Sequence, residues 1–309
     1  MVNLRIAAAL FLGTLACALP AAAQQGDSSA AKAVVTVLPK KGEVPEIRQN
    51  DLKVKVDGKD GTITGWEALR NDRAGLELVV LIDDSARSSI GVQLSDLSKF
   101  IQSLPPSTQV GVAYMQSGRA AFQQNLTSDH ALAAKAIRLV NGVPGGNASP
   151  YFCLSDLAKH WPSQDTKNRR EVIMITDGVD RYNLRYDPDN PYLQAAIRDA
   201  QREGIIVYSI YYRDTGRLDR SGYETDAGQN LLMQLSQSTG GKLYYQGLSN
   251  PVSFLPFFDD LNKRFENQYE LGVTVPTKSK PDLVSLKVRS DRGGVSIDAP
   301  ERVPVGASR

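Results

Sequence analysis

Two acidic turns, each directly after a largely apolar run, contain the residues of this chain best suited to bind a ligand. The run Leu76–Ile82 leads into Asp83 and Ser85, and the run Val172–Thr176 leads into Asp177. In a parallel α/β sheet, strands buried on both faces appear as continuous apolar runs, and ligands bind beyond their carboxyl ends. We therefore expect Asp83, Ser85 and Asp177 to lie together, where their oxygen atoms could coordinate a hard cation.

Each motif taken alone also has a purely structural interpretation. An acid or hydroxyl at the carboxyl end of a strand often caps a helix, so Asp83, Asp84 or Ser85 could cap a helix that begins near Ser89. Asp177 followed by Gly is an ordinary turn sequence. The occurrence of both motifs, in this order along the chain, is what favours a common site.

These residues resemble the metal-ion-dependent adhesion site of von Willebrand factor type A (VWA) domains. The family pattern is Asp-x-Ser-x-Ser after the first strand, a Thr from a later loop, and an Asp in a Thr-Asp-Gly turn after the fourth strand. Asp83, Ser85 and Asp177 match the first, second and last positions, whereas Arg87 stands where the family has its second Ser. The resemblance implies a Rossmann-like domain with a central, mainly parallel sheet and helices on both faces.

The remaining ligand of the family site has two candidates in a later loop. Ser149 is the first choice, because it offers a hydroxyl and precedes a Pro at a predicted helix start. Asn147 could supply a carbonyl oxygen instead. The resemblance implies that Ser85 would bind Mg²⁺ or Mn²⁺ directly, with Asp83 and Asp177 bound directly or through water.

The presence of Arg87 in place of the second Ser of the motif indicates that metal binding at this site is weak or absent. A divalent ion about 4 Å from a guanidinium is repelled by about 2 kcal/mol even at the dielectric constant of water. That repulsion lowers the affinity more than tenfold. The Arg87 side chain could turn out to solvent and leave a weak site, or it could replace the metal by forming an ion pair with Asp83 or Asp177.

A Tyr-rich segment after the second turn could form the rim of a binding surface. Tyr182 and Tyr186 follow Asp177 closely, and aromatic residues are enriched in interfaces. Asp84 and Asn147 are further candidates for a ligand or rim role. An ordinary surface loop remains the alternative for the Tyr-rich segment.

Strands that alternate with helical patterns over residues 74–266 predict the parallel sheet that would position these turns. Val110–Met115 and Ala120–Leu126 are predicted to be neighbouring strands. Apolar residues recur at helical spacing in Ile90–Leu104, Ala131–Val140, Tyr151–His160, Tyr192–Glu203, Asn230–Ser238 and Phe254–Phe265.

Short β-type runs lie on both sides of the predicted VWA domain. We predict that residues 34–73 and 267–309 pair as one small β-sandwich. The flanking segments Asn50–Val54 and Gln268–Gly272 resemble the x-D-[FL]-x-V and QYxLG segments of a secreted bacterial, VWFA-related branch of the family. The chain departs from that branch at its C-terminus, which reads APERVPVGASR.

The first residues predict export. Arg5, the apolar run Ile6–Ala18 and the small residues that end at Ala23 form a signal peptide over residues 1–23, cleaved near Ala23. Residues 24–33 are small and polar, as in a flexible linker. No run is long and apolar enough for a transmembrane helix. We therefore expect a secreted or periplasmic protein.

Composition excludes several classes of function. The 309-residue chain has a formal net charge of +2, or +1 without the signal, so binding to nucleic acid is not indicated. Loss of Cys17 with the signal leaves Cys153, within an apolar stretch, as a predicted buried thiol. The two His residues have no nearby Cys cluster, so a zinc site is not indicated.

The expected function is a binding module, not an enzyme. The chain has no GxSxG or Walker-type motif, so a metal-dependent hydrolase is a poorly supported alternative. The expected partner is an unknown protein or other extracellular macromolecule that binds at the carboxyl-end face of the sheet. The second alternative is a metal-free scaffold that binds through its β-sandwich or its helices.

Overall fold

The computed structural model describes residues 28–42, 45–142, 149–183, 185–213, 222–247, 249–276 and 282–306. Its strands and helices are, in chain order, β1 (Ser28–Pro39), β2 (Leu52–Val56), β3 (Lys59–Asp60), β4 (Ile63–Ala68), β5 (Leu76–Asp83), α1 (Leu94–Ser103), β6 (Thr108–Gln116), β7 (Arg119–Thr127), α2 (His130–Lys135), α3 (Pro150–Lys159), β8 (Arg169–Thr176), α4 (Pro191–Arg202), β9 (Ile205–Tyr211), α5 (Tyr223–Ser238), β10 (Leu243–Tyr244), α6 (Leu255–Glu266), β11 (Gln268–Pro276), β12 (Leu283–Ser290), β13 (Val295–Asp298) and β14 (Arg302–Pro304).

A six-stranded sheet with the order β10-β9-β8-β5-β6-β7 forms the centre of the α/β unit. All neighbouring strands in it are parallel except β6 and β7, which form the antiparallel pair predicted from the sequence. Every residue of β5 and β8 is buried, which explains their apolar runs. Since β5 and β8 are parallel neighbours, both acidic turns lie at the same end of the sheet.

Helices cover both faces of this sheet, as the resemblance to VWA domains implied. Leu78, Val80 and Ile82 of β5 belong to the apolar core that α1, α2 and α6 close. Val79 and Leu81, which point to the opposite face, belong to the core that α3, α4 and α5 close. Burial of one such side chain contributes about 1.5–3 kcal/mol, so the two cores hold the sheet and its strand ends rigidly.

The N- and C-terminal strands form a β-sandwich. One antiparallel sheet has the order β13-β1-β11-β4 and the other has the order β14-β12-β2-β3. Their facing side chains share one apolar core, to which Val35 and Leu271 contribute from the first sheet and Val54 and Leu286 from the second. The predicted pairing of the two ends of the chain is therefore confirmed, since β1 pairs with β11 and β2 with β12.

Several predicted boundaries differ from those of the structure; the helix predicted over Asn230–Ser238, for example, begins at Tyr223. β1 begins at Ser28, so Ser28–Ala33 of the predicted linker are strand residues, because their backbone groups pair with β11 and Ala31 and Ala33 are buried. The helix predicted over Ala131–Val140 ends at Lys135, because the Arg138 N–H turns back to donate to the Tyr114 hydroxyl. A 3-10 turn, Ser88–Gln93, forms the start of the helix predicted from Ile90.

The structure describes the predicted buried thiol but not the predicted signal peptide. Cys153 of α3 is fully buried, as the apolar sequence around it predicted. The predicted signal peptide, residues 1–23, lies outside the described residues. Among the helices in the described ranges, none has both the length and the apolar character needed to cross a membrane.

Candidate functional site

The carboxylate of Asp83 lies at the centre of the site at the carboxyl ends of β5 and β8. Its Oδ1 accepts hydrogen bonds from the Ser85 backbone N–H at 3.0 Å and from Ser85 Oγ at 2.7 Å. Its Oδ2 accepts a hydrogen bond from Thr176 Oγ1, the last residue of β8, at 2.8 Å. The structure therefore joins the two strand ends through the buried side chains of Asp83 and Thr176.

Burial makes the negative charge of Asp83 unfavourable. Desolvation raises the pKa of Asp83 above its ordinary value of 3.8, although the hydrogen bonds from Ser85 and Thr176 and the nearby charge of Arg181 oppose this effect. Hydrogen bonds and a cation thus stabilise a carboxylate that the apolar surroundings disfavour.

The second turn places Asp177 in an ion pair. Its Oδ1 accepts a hydrogen bond from the Val179 N–H at 3.0 Å, and its Oδ2 accepts one from Arg181 Nη2 at 2.8 Å. The side chain of Asp177 is 4% exposed and that of Arg181 is 22% exposed. The negative charge of Asp177 is therefore compensated inside the protein.

Ser149 is the predicted ligand whose surroundings most suggest a missing group. It directly precedes α3 and is fully buried, yet its Oγ has no hydrogen-bond partner among the described residues. The Tyr151 hydroxyl donates to the Gly178 carbonyl at 2.7 Å, which brings the start of α3 to the Asp177 turn. A buried hydroxyl without a partner is unfavourable by about 1–3 kcal/mol. The alternative ligand Asn147 lies outside the described residues.

Asp84 belongs to a separate network of hydrogen bonds. Both of its oxygens accept from the guanidinium of Arg138, at 2.7 and 3.0 Å, and Gln116 and the Asn141 N–H donate to it as well. Burial acts to raise the pKa of Asp84, but these hydrogen bonds outweigh it and lower the pKa below 3.8. The Arg138 guanidinium also stacks 3.9 Å above the Tyr114 ring. Asp84 thus anchors the segment that follows α2.

The cation paired with Asp177 is one that the sequence pattern did not indicate. Arg87 was predicted either to turn outward or to form an ion pair with Asp83 or Asp177. The structure places Arg87 in an exposed position at the start of the turn Ser88–Gln93, and it places Arg181 on Asp177. Asp177 and Arg181 lie in a turn and not in a helix, so their spacing of four residues gave no signal of the pair.

The predicted rim tyrosines lie on the surface beside this turn. Tyr182 is 63% exposed, Tyr186 is 40% exposed and Tyr223 is 49% exposed. The Tyr186 N–H donates to the Tyr223 hydroxyl at 2.7 Å. The rings of Tyr182 and Phe152 form a T-shaped pair with 5.1 Å between their centroids, which attaches the rim to α3. We call Tyr182, Tyr186 and Tyr223 the tyrosine rim.

A buried pair that the sequence did not reveal supports this rim. Asp180 accepts hydrogen bonds from Asn190 Nδ2 at 2.8 Å and from the Tyr182 N–H at 3.1 Å. Asn190 in turn caps α4, because its Oδ1 accepts from the N–H groups of Tyr192 and Leu193. The rim is therefore connected to the start of a regular helix.

The four predicted ligands do not fit a resident Mg²⁺ or Mn²⁺ ion as they are placed. The unpartnered hydroxyl of Ser149 would suit such an ion, but Arg181 already neutralises Asp177, and both oxygens of Asp83 accept protein hydrogen bonds. Within the described ranges, no group of three or more His, Cys, Asp or Glu side chains could hold a metal. An added divalent ion would be repelled by the guanidinium beside it.

The known proteins that are similar to this chain are solved structures. No protein-family model matches the chain, and no curated protein matches it. Similar solved structures include the conserved hypothetical protein BatB from Bacteroides thetaiotaomicron, with 17% identity, 62% of this chain and 97% of that chain covered, and a TM-score of 0.42. The SpRpn10 VWA domain has 17% identity, coverage of 60% and 94%, and a TM-score of 0.36.

A third similar structure is the pilus adhesin SpaC from Lactobacillus rhamnosus GG in its open conformation. It has 10% identity and a TM-score of 0.45, and the match covers 86% of this chain and 49% of that one. The architecture of this chain is VWA-like. That description rests on its parallel sheet with helices on both faces and on the two acidic turns at the strand ends.

Proposed function

We propose that this protein is an exported binding module that recognises a protein or another extracellular macromolecule at the carboxyl-end face of its central sheet. The observation that carries the proposal is the junction of the two acidic turns, at which Thr176 of β8 donates to Asp83 of β5. Open α/β sheets bind their ligands beyond the carboxyl ends of the strands.

The tyrosine rim supports a macromolecular partner. Three large aromatic side chains lie exposed beside the Asp177 turn, and each has a polar hydroxyl at the end of an apolar ring. Residues of this kind are enriched in the energetically important parts of interfaces. The supporting loop is held by Asp180 and Asn190, so the rim can bind with little loss of conformational freedom.

Binding at this face does not require a divalent ion in our proposal. The ion pair between Asp177 and Arg181 supports this, since Arg181 already compensates the negative charge of Asp177. We expect saturating Mg²⁺ or Mn²⁺ to change the melting temperature only slightly in differential scanning calorimetry. A large, saturable increase that Asp177→Ala abolishes would contradict the expectation and favour metal-dependent binding.

A second candidate function, a metal-free scaffold, is favoured by a different surface, which is formed by residues that flank α1, α2 and α6. Val92, Leu139 and Val252 are 74%, 63% and 88% exposed. The two chain neighbours of Val92 contact the other two residues, because Gln93 donates to the Val252 carbonyl and a Cβ atom at Gly91 would lie 2.7 Å from Leu139 Cδ2. Adjacent exposed apolar residues can mark an interaction site.

Capture from the native envelope distinguishes the two surfaces. We expect the immobilised mature chain to retain a partner, and Tyr182→Ala/Tyr186→Ala to reduce the retained amount at least tenfold in quantitative mass spectrometry. Lys53→Ala/Lys55→Ala, on the exposed side of β2, is the matched control and should bind like the unaltered chain. A loss caused by Val92→Ser/Val252→Ser, and not by the rim variant, would assign the function to the apolar surface around Val92 and Val252.

A further inference from the structure

We infer that Arg181 is the built-in cation of this site and the residue that excludes divalent ions from it. The inference deepens the proposed function, because it rests on the same site, but it concerns the ion and not the macromolecular partner. Its geometric basis is the 2.8 Å ion pair between Arg181 Nη2 and Asp177 Oδ2.

The burial of the pair keeps the Arg181 guanidinium in place. Asp177 is 4% exposed and Arg181 is 22% exposed, so rotation of the guanidinium into solvent would leave a buried carboxylate without its cation. Loss of one partner from a buried ion pair is strongly unfavourable. Arg87, by contrast, is an exposed residue.

The charge of Arg181 acts on both acidic turns. It forms the ion pair with Asp177, and it also opposes the effect of burial on the pKa of Asp83. One guanidinium thus provides positive charge to both carboxylates that a divalent ion would need. A metal entering beside it would face repulsion and would compete for carboxylate oxygens already in use.

The oxygen donors for a cation are nevertheless present. Ser85 Oγ lies beside Asp83, and the buried Oγ of Ser149 has no partner among the described residues. Without the Arg181 charge, an added cation would meet the carboxylates of Asp83 and Asp177 and the hydroxyls of Ser85 and Ser149, and no repulsion from Arg181. Hard cations prefer oxygen ligands of this kind. The predicted consequence is a latent metal site that one substitution reveals.

Titration of the mature chain with Mn²⁺ alone tests this inference. We expect Arg181→Gln to raise the Mn²⁺ affinity at least tenfold in isothermal titration calorimetry and in the electron paramagnetic resonance of free Mn²⁺. Arg181→Lys keeps the charge and should leave the affinity unchanged. Asp177→Asn added to Arg181→Gln should remove the gain, because the metal would lose a carboxylate.

A second variant keeps the test decisive if Arg181→Gln folds poorly. Arg181→Met removes the charge but keeps much of the apolar stem, and a saturable rise of its melting temperature with Mn²⁺ would support the inference. An equal gain in affinity for Arg181→Lys, or a gain from Arg87→Ser with none from Arg181→Gln, would overturn it. Partner capture through the tyrosine rim is scored separately, so failure of either proposal can be recognised.

Discussion

At the scale of single residues, the site consists of acids whose charges are compensated in different ways. Asp83 accepts hydrogen bonds from hydroxyl and backbone donors. Asp84 forms a bidentate ion pair with the guanidinium of Arg138, and Asp177 forms an ion pair with Arg181. Burial raises the pKa of each carboxyl, and hydrogen bonds lower it. The net effect is a raised pKa for Asp83 and a lowered pKa for Asp84. Adjacent acids in one turn thus have different electrostatic roles.

The lowered pKa of Asp84 predicts a pH-dependent contribution to stability. An acid whose pKa is lower in the folded state stabilises the fold fully above its unfolded value of 3.8, and this contribution is lost as the pH falls through the folded value. We expect urea unfolding to show a smaller loss of stability between about pH 6 and about pH 3 for Asp84→Asn than for the unaltered chain. Equal losses for the two proteins would contradict the role assigned to the Arg138 ion pair.

At the scale of elements, the Asp177 turn depends on a glycine that the Thr-Asp-Gly pattern contains. Gly178 has a φ of 69°, a backbone angle that residues other than glycine rarely adopt. A Cβ atom there would lie 2.5 Å from Leu232 Cγ and 2.7 Å from the Gly228 carbonyl oxygen. The turn that presents Asp177 is thus packed directly against α5.

Gly178→Ala should therefore destabilise the protein more than an equivalent change in an open turn. Gly58 has φ of 77°, and no atom lies within 4 Å of the position that a Cβ atom would take there, so Gly58→Ala measures the backbone effect alone. We expect Gly178→Ala to lower the free energy of unfolding by at least about 1 kcal/mol more than Gly58→Ala, because of overpacking. Equal effects in urea unfolding would show that the contact with α5 is easily relieved.

At the scale of the whole molecule, one arginine holds both places where the chain crosses between the β-sandwich and the α/β unit. Arg169 donates to the Ala74 carbonyl at 2.8 Å before β5, and to the Phe265 carbonyl at 3.3 Å near the end of α6. Its Nε lies 3.3 Å from the carboxylate of Glu171, which is fully buried. Arg169 thus links both crossings to β8 of the central sheet, beside a buried carboxylate.

Loss of this arginine should destabilise the whole chain. We expect Arg169→Ala to reduce the free energy of unfolding by about 3–5 kcal/mol, because it leaves Glu171 buried without its cation. Arg169→Met/Glu171→Gln should be less harmful, since it leaves no buried charge. Arg70→Ala is the surface control, because exposed Arg70 donates to the Glu266 carbonyl at the same crossing. An Arg169→Ala protein as stable as Arg70→Ala would contradict this assignment.

The sequence by itself determined the elements and the positions of the acids at the strand ends. Apolar runs and helical spacing predicted the central sheet and its helices. The pairing of the two chain ends followed from the resemblance and from composition. These features are predictable because burial periodicity is local along the chain.

Only the tertiary structure decided which charges meet. Asp84 pairs with Arg138, which lies 54 residues further along the chain, and Asp177 pairs with Arg181. An arginine side chain reaches in many directions, so its partner depends on where the folded backbone places it and on which carboxylates burial deprives of water. Sequence spacing contains neither of these quantities, and they are what sets the charge of this site.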